Sequence, residues 1–159
     1  MLINKAGIEE GNSILEPSAG EGRIIDRLYQ THSFSNLSID CIELNREKVA
    51  VLQSKKYNAV QADFLTHPIE KEYERIIACP PFKKNIDLLH IRKMYHCLKR
   101  KGIMVSLTSP YWLTNNEAHQ VEFREWLKDK EYYLQMLPDN SFMERGATVP
   151  TGVLKILKK

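Results

Sequence analysis

The sequence predicts an α/β fold with a mainly parallel sheet. Short apolar runs alternate with longer amphipathic stretches along most of the chain, which is the pattern of strands joined by crossover helices. The last two apolar runs have no helical stretch between them, so we predict that they form an antiparallel pair. A chain of 159 residues is long enough for one sizeable core, and we predict a single domain over residues 1–159.

Seven apolar runs are predicted to be strands. The first is closed by a turn at residues 17–20, and Gly102 precedes the fifth. The seven runs are residues 13–16, 38–43, 59–61, 75–79, 103–108, 132–137 and 149–157.

Four stretches between these runs have the apolar spacing of helices. They are residues 22 onward, 46–55, 86–98 and 117–130. In the third stretch, Leu88, Ile91 and Tyr95 recur at intervals of three and four residues, which places them on one buried stripe.

The composition is that of a soluble globular protein and excludes several other classes. Apolar residues make up 43% of the chain and the formal net charge is +3, a weaker basic bias than most nucleic-acid modules show. The three cysteines form no C-x-x-C pair, so we expect neither a disulfide framework nor a bound metal. No apolar run is long enough to span a membrane and no signal peptide is evident, so we expect a cytoplasmic protein.

The turn after the first predicted strand is expected to present backbone N–H groups to a ligand. Gly20 and Gly22 lie where that strand gives way to a helix, and glycine permits a close approach to the backbone. A dinucleotide-binding fingerprint would need a third glycine where this chain has Ile25, so the turn does not match that class.

Acidic residues follow the second and third predicted strands. Glu43 ends the second strand, at about the spacing of 20 residues at which doubly wound folds place a carboxylate for ribose hydroxyls. We interpret Glu43 as a ribose ligand. Asp63 follows the third strand in a loop, where an aspartate is often a turn former or a helix cap, so the residues alone leave its role open.

The fourth predicted strand ends in Cys79, Pro80, Pro81 and Phe82. Each proline fixes its own φ and lacks an N–H, and the residue before a proline is held in an extended conformation. We therefore predict a stiff corner that presents backbone carbonyls and one aromatic ring beyond the strand.

This corner resembles motif IV of the S-adenosylmethionine-dependent amino-methyltransferases, which has Asn, Asp or Ser followed by Pro-Pro and an aromatic residue. Together with the other motifs, it makes the chain similar to the adenine-type DNA members, above all to small phage- and plasmid-borne ones. The resemblance implies the Rossmann-like class I methyltransferase fold, with a seven-stranded, mainly parallel sheet, a C-terminal antiparallel hairpin and helices on both faces. It also implies S-adenosylmethionine as the cofactor.

The resemblance also implies roles for individual residues. The acidic residue of the first turn lies near the methionine end of the cofactor in this family, Glu43 binds ribose, and Asp63 and its apolar neighbour bind adenine. The expected cofactor-binding residues are Glu16, Pro17, Ser18, Ala19, Gly20, Gly22, Glu43, Leu44, Asp63 and Phe64. The expected catalytic residues are Cys79, Pro80, Pro81 and Phe82, which bind and orient a base amine.

Cys79 departs from the family pattern, because a thiol is a weak hydrogen-bond acceptor. One interpretation is an enzyme slowed by the loss of one acceptor, which typically costs about 10²–10³ in rate. A second is a binding or regulatory module that does not turn over. A nucleophilic role for Cys79 is disfavoured, since carbon-5 cytosine methyltransferases have the order Pro-Cys and need a general acid that we do not find. A protein glutamine-amide methyltransferase is a further alternative.

The expected substrate is a nucleic acid, with DNA favoured over RNA. Candidate contact segments are residues 83–85, 109–119 with Tyr111 and Trp112, and 138–147 with Phe142 and Arg145, because aromatic and basic side chains stack on bases and contact phosphates. No insertion is long enough for a recognition domain, and only a short segment precedes Ser13. We therefore expect a partner chain, a recognition subunit or a longer parent protein, and weak binding of the cofactor by this chain alone.

Overall fold

The computed structural model describes residues 1–33, 36–138 and 150–159. Five α-helices and seven strands lie within these ranges. The helices are α1 (Leu2–Ala6), α2 (Arg23–Thr31), α3 (Arg46–Ser54), α4 (Ile86–His96) and α5 (Ala118–Leu127). The strands are β1 (Ser13–Glu16), β2 (Ser38–Glu43), β3 (Asn58–Gln61), β4 (Tyr73–Ala78), β5 (Leu98–Thr108), β6 (Glu131–Met136) and β7 (Gly152–Leu157). Short 3₁₀ turns cover Lys83–Asn85 and Pro110–Leu113.

All seven strands form one sheet in the order β3-β2-β1-β4-β5-β7-β6. The strands β1 to β5 pair in parallel, whereas β7 is antiparallel to both β5 and β6. The prediction of an α/β fold with a mainly parallel sheet and a closing antiparallel pair is therefore confirmed. The chain moves outward from β1 in one direction through β2 and β3 and in the other through β4 and β5, so the order reverses between β1 and β4.

Apolar side chains cover both faces of the sheet. On β4, Ile76 belongs to the cluster that includes buried residues of α4 and α5, while Ile77 belongs to the cluster that includes residues of α1 and α2. Their partners on β5, Met104 and Val105, divide in the same way. Burial on both faces explains why this strand is a continuous apolar run instead of an alternating one.

The boundary between α4 and β5 differs from the prediction. The predicted helix 86–98 ends at His96, and β5 begins at Leu98, several residues before the predicted start at 103. Cys97 accepts a backbone hydrogen bond from Tyr73 at 2.9 Å, and Leu98 pairs with Tyr73. Gly102 therefore lies within β5 and not before it. A Cβ at this position would lie 2.8 Å from the Lys99 carbonyl oxygen.

The structure also differs from the prediction in its first helix and its last strand. The helix α1 was not predicted, and it packs against β4, β5 and β7 through the buried residues Ile3 and Ala6. The last strand was predicted to begin at residue 149, which lies outside the described residues, and β7 begins at Gly152.

Candidate functional site

A cavity of about 500 Å³ lies at the carboxyl ends of the parallel strands. It sits where the strand order reverses, which is the position of the ligand crevice in open α/β sheets. The turns after β1, β2, β3 and β4 all contribute to its walls, and α4 contributes one residue. Its lining residues are Glu16, Pro17, Ser18, Ala19, Gly20, Glu21, Arg23, Ile24, Glu43, Leu44, Lys48, Ala62, Asp63, Phe64, Cys79, Pro81 and His90.

Glu43 joins the turn after β1 to the end of β2. Its Oε2 accepts a hydrogen bond from the backbone N–H of Gly20 at 2.7 Å, and its Oε1 accepts one from Asn45 at 2.8 Å. The N–H of Ala19 donates to the carbonyl of Ile42 at 3.0 Å. These bonds fix the turn against β2, and the Glu43 oxygens keep further lone pairs for a ligand because each carboxylate oxygen accepts more than one bond.

The two glycines of this turn serve different purposes. Both have positive φ values, 56° at Gly20 and 83° at Gly22. A Cβ on Gly20 would meet nothing within 4 Å, whereas one on Gly22 would lie 2.9 Å from Leu52 Cδ2 and 3.0 Å from Tyr57 Cε2. Gly20 lines the cavity, and Gly22 is instead needed for the packing of α2 against α3 and Tyr57.

Glu16 places a buried carboxyl group in the cavity wall. It is 3% exposed, and its Oε2 has no hydrogen-bond partner among the described residues. Burial raises its pKa well above the ordinary value, and the carboxylates of Asp26 and Glu43 raise it further. An unpaired buried carboxylate of this kind suits a cationic ligand group, because the positive charge of the ligand would pair with the negative charge of Glu16.

Asp63 and Phe64 form the wall after β3. Asp63 is exposed at the cavity and its Oδ1 accepts a hydrogen bond from the N–H of Leu65 at 2.9 Å. Phe64 is buried, and the Lys93 ammonium lies 5.1 Å from the centre of its ring. The turn is held to β2 because Ala62 donates to the carbonyl of Glu43 at 3.1 Å.

The corner after β4 divides its residues between the cavity and the core. Cys79 and Pro81 are exposed and line the cavity, while Pro80 is buried. Phe82 is half-buried against the apolar cluster that contains Ile77, and it is not among the lining residues. The structure thus places two of the four predicted catalytic residues, Cys79 and Pro81, in the cavity wall.

Two of the predicted contact segments meet beside this corner. Lys84 and Asn85 both have positive φ values, 57° and 56°, which turn the chain sharply after Phe82. Asn85 Nδ2 lies 2.7 Å from His119 Nε2, and its Oδ1 accepts a hydrogen bond from Gln120 at 3.2 Å. The loop after β4 is therefore attached to the start of α5.

Within the segment 109–119, the two aromatic residues differ in exposure. Trp112 is 2% exposed, donates from Nε1 to Thr108 Oγ1 at 3.2 Å and packs edge-on against Phe123. Tyr111 is 46% exposed. Tyr111 therefore lies at the surface and Trp112 in the core. The third predicted segment, 138–147, lies outside the described residues except for Pro138.

His90 is the most informative lining residue that the sequence did not reveal. It is 6% exposed on α4, its ring centre lies 5.2 Å from that of Phe64, and its Nδ1 has no hydrogen-bond partner among the described residues. Burial lowers its pKa to about 4. A histidine within an amphipathic helix carries no sequence signal of its own, so only the packing of α4 on the sheet identifies it.

Within residues 1–33, 36–138 and 150–159, no group of three or more His, Cys, Asp or Glu side chains is placed to hold a metal ion. In the same ranges, no helix has both the length and the apolar character needed to cross a bilayer.

The sequence matches no protein-family model and no curated protein, but its structure matches solved structures over nearly its whole length. The methyltransferase subunit of a type I restriction-modification system from Streptococcus thermophilus has a TM-score of 0.82 at 17% identity, with 99% of this chain and 42% of that protein covered. A Listeria monocytogenes protein provisionally assigned to the class I S-adenosylmethionine-dependent methyltransferases has a TM-score of 0.76 at 14% identity, with coverage of 99% and 57%.

A dimethyladenosine transferase from Plasmodium falciparum has a TM-score of 0.71 at 16% identity, with coverage of 99% of this chain and 60% of that protein. The chain thus spans about half the length of these three proteins. At these identities the likeness establishes the fold. The strand order, the antiparallel closing pair and these matches together show that the chain has the fold of the class I S-adenosylmethionine-dependent methyltransferases.

Proposed function

We propose that this chain is an S-adenosylmethionine-dependent methyltransferase that acts on the exocyclic amine of a nucleic-acid base, with adenine in DNA favoured. One observation carries the proposal. A single cavity is lined by the glycine turn after β1, the carboxylates after β2 and β3, and the proline corner after β4. The names of two fold neighbours, a restriction-modification methyltransferase subunit and a dimethyladenosine transferase, support a nucleic-acid substrate.

The residues of the cavity fit this cofactor. Glu16 offers a buried, unpaired carboxylate oxygen, which suits the cationic methionine end. Gly20 leaves open space beside the backbone. Glu43 has the acceptor capacity for ribose hydroxyls, and Asp63 and Phe64 offer an acceptor and an apolar surface for adenine.

The cofactor, when bound, supplies an electrophilic methyl group, and the chain must hold the amine in line with it. The amine of adenine is a weak nucleophile because its lone pair is delocalised into the ring. A backbone carbonyl held by the prolines accepts a hydrogen bond from one N–H of the amine. This bond helps to localise the nitrogen lone pair and to direct it at the methyl group. Cys79, at the cavity wall, offers only a weak acceptor for the other N–H. Phe82 is half-buried against the apolar cluster that contains Ile77, and its accessible part is what could stack on a base.

The second candidate function is a methyltransferase-fold module that binds the cofactor or nucleic acid without turnover. Cys79 is the observation that favours it, because the thiol replaces the stronger acceptor of the family pattern. Both candidates predict cofactor binding, so binding alone does not separate them.

The deciding experiment compares the wild type with Cys79→Asn and Cys79→Ala. Transfer of labelled methyl groups from S-adenosylmethionine to mixed DNA and RNA is measured, and binding is measured by calorimetry. An attenuated enzyme predicts that Cys79→Asn gains about 10²–10³ in rate while Cys79→Ala does not. Cofactor binding without transfer by any variant would favour the non-catalytic module, and absence of both binding and transfer would reject the proposal.

A further inference from the structure

His90 reaches the cavity from α4, which none of the predicted motifs includes. The helix packs against β5, and the His90 ring packs against Phe64 at the same end of the cavity as Asp63. Glu16 ends β1 and Gly20 lies in the turn after it. His90 contacts Phe64, so it lies instead with the residues after β3. Under the proposed function, on which this inference rests, that end of the cavity receives the adenine base of the cofactor.

The His90 ring is neutral in this position. Burial is the main reason for its low pKa, the Lys93 ammonium acts in the same direction, and the Asp63 carboxylate opposes both. A neutral imidazole has one N–H donor and one acceptor nitrogen. The environment, and not the ring itself, decides which nitrogen carries the proton.

The burial of Nδ1 indicates where the donor lies. Nδ1 is inaccessible and has no partner among the described residues, although the ring lines the cavity. An N–H buried there would have no acceptor, which is unfavourable. The proton is therefore placed on Nε2, which is not among the buried atoms without a partner and which belongs to a ring that lines the cavity.

We propose that His90 is a specificity residue for the adenine base, donating from Nε2–H to one of its ring nitrogens. Adenine ring nitrogens are acceptors, so a fixed neutral donor beside Asp63, an acceptor for the amino group, would match both kinds of group on the base. His90 and Asp63 together select adenine over a base in which donors and acceptors are exchanged, because a mismatch would leave the N–H of the buried His90 ring without an acceptor.

Calorimetry tests this with S-adenosylhomocysteine and three analogues, in each of which one adenine ring nitrogen (N1, N3 or N7) is replaced by C–H. We expect one analogue to bind the wild type about 3- to 10-fold more weakly than the parent compound, the effect of one neutral hydrogen bond. That penalty should vanish in His90→Leu and persist in part in His90→Gln, whose side chain keeps an N–H donor. Equal ratios for all analogues in the wild type and in His90→Leu would overturn the inference.

Two controls keep the outcomes separate. If His90→Leu does not fold, as judged by circular dichroism, the His90→Gln variant and the NMR signals of the His90 ring decide, and ring signals unmoved by bound ligand would overturn the inference. Binding of the parent compound without any His90-dependent penalty refutes this inference and leaves the proposed function standing. Failure of the wild type to bind S-adenosylhomocysteine refutes both.

Discussion

Gly20 and Gly22 provide a matched pair of residues within one turn. Alanine at either position would adopt a left-handed backbone conformation, at a cost of about 1–2 kcal/mol. Only at Gly22 would the added methyl group also collide with Leu52 and Tyr57, and overpacking of this kind typically costs about 1–3 kcal/mol more. We expect Gly22→Ala to lower the free energy of unfolding by that additional amount relative to Gly20→Ala. Urea denaturation of both variants measures the difference, and equal losses would contradict the packing role of Gly22.

The same pair should separate stability from binding. Gly20 lines the cavity, so Gly20→Ala is expected to weaken S-adenosylmethionine binding more than its effect on stability would suggest. The sequence analysis assigned both glycines to the approach of a ligand. Only the three-dimensional contacts of Gly22 reveal its packing role, because Leu52 and Tyr57 are distant from it in the sequence.

The raised pKa of Glu16 makes stability depend on pH. Burial raises this pKa, with smaller contributions from Asp26 and Glu43, so the folded state holds the proton more tightly than the unfolded state. The ligand-free protein should therefore lose stability as pH rises from the ordinary carboxyl range through the raised pKa. Glu16→Gln keeps the shape and removes the charge. We expect its melting temperature to exceed that of the wild type by a margin that grows with pH, measured between about pH 5 and pH 8.

Binding should reverse this ranking of the Glu16 variants. A cationic ligand favours the ionised carboxylate, so Glu16→Gln is expected to bind S-adenosylmethionine more weakly than the wild type does. Glu47→Gln is a suitable control, because Glu47 is an exposed residue of α3 that does not line the cavity. A pH-independent difference in melting temperature between Glu16→Gln and the wild type would contradict the linkage.

At the scale of elements, a buried carboxyl group ties α4 to the end of β5. Asp87, in the first turn of α4, is fully buried and accepts hydrogen bonds from Thr108 Oγ1 at 2.8 Å and from the N–H of Ser109 at 3.0 Å. Asp87→Ala would leave the buried Ser109 N–H without an acceptor, which costs about 1–3 kcal/mol. We expect that loss in urea denaturation and a smaller one for Asp87→Asn, which retains an acceptor oxygen. Equal stability of Asp87→Ala and the wild type would show that this tie is not needed.

The elements were predictable to the extent that local patterns determine them. The run at residues 75–79 predicts a buried strand because both faces of β4 are covered, and the absence of a helix before β7 predicts the antiparallel ending. The early start of β5 was not predictable, since it depends on pairing of Leu98 with Tyr73, a contact between distant parts of the chain. The packing of Phe82 against the Ile77 cluster and the exposure of Tyr111 could not be predicted from the sequence either, because neighbouring elements determine them.

At the scale of the whole molecule, two pairs of exposed cations lie at opposite ends of the parallel strands. Lys83 and Lys84 lie at the carboxyl edge, beside the cavity, whereas Arg100 and Lys101 lie near the start of β5, at the opposite edge. Lys83 and Lys84 lie in one of the predicted contact segments, so we expect them to contact phosphates, and we expect Arg100 and Lys101 not to do so. The formal net charge of +3 is too small to determine by itself where a polyanion binds.

Salt dependence distinguishes the two pairs. Each phosphate neutralised on a single strand contributes about −0.7 to the slope of log K against log salt concentration. We expect the double variant Lys83→Gln/Lys84→Gln to weaken binding of a labelled single-stranded oligonucleotide and to reduce the magnitude of that slope by about 1.4. The matched variant Arg100→Gln/Lys101→Gln removes the same charge from the opposite edge and should leave the slope near that of the wild type. Fluorescence anisotropy over a salt series measures both. Equal changes in the two variants would mean that the nucleic acid responds only to net charge, and the assignment of the substrate to the cavity edge would then fail.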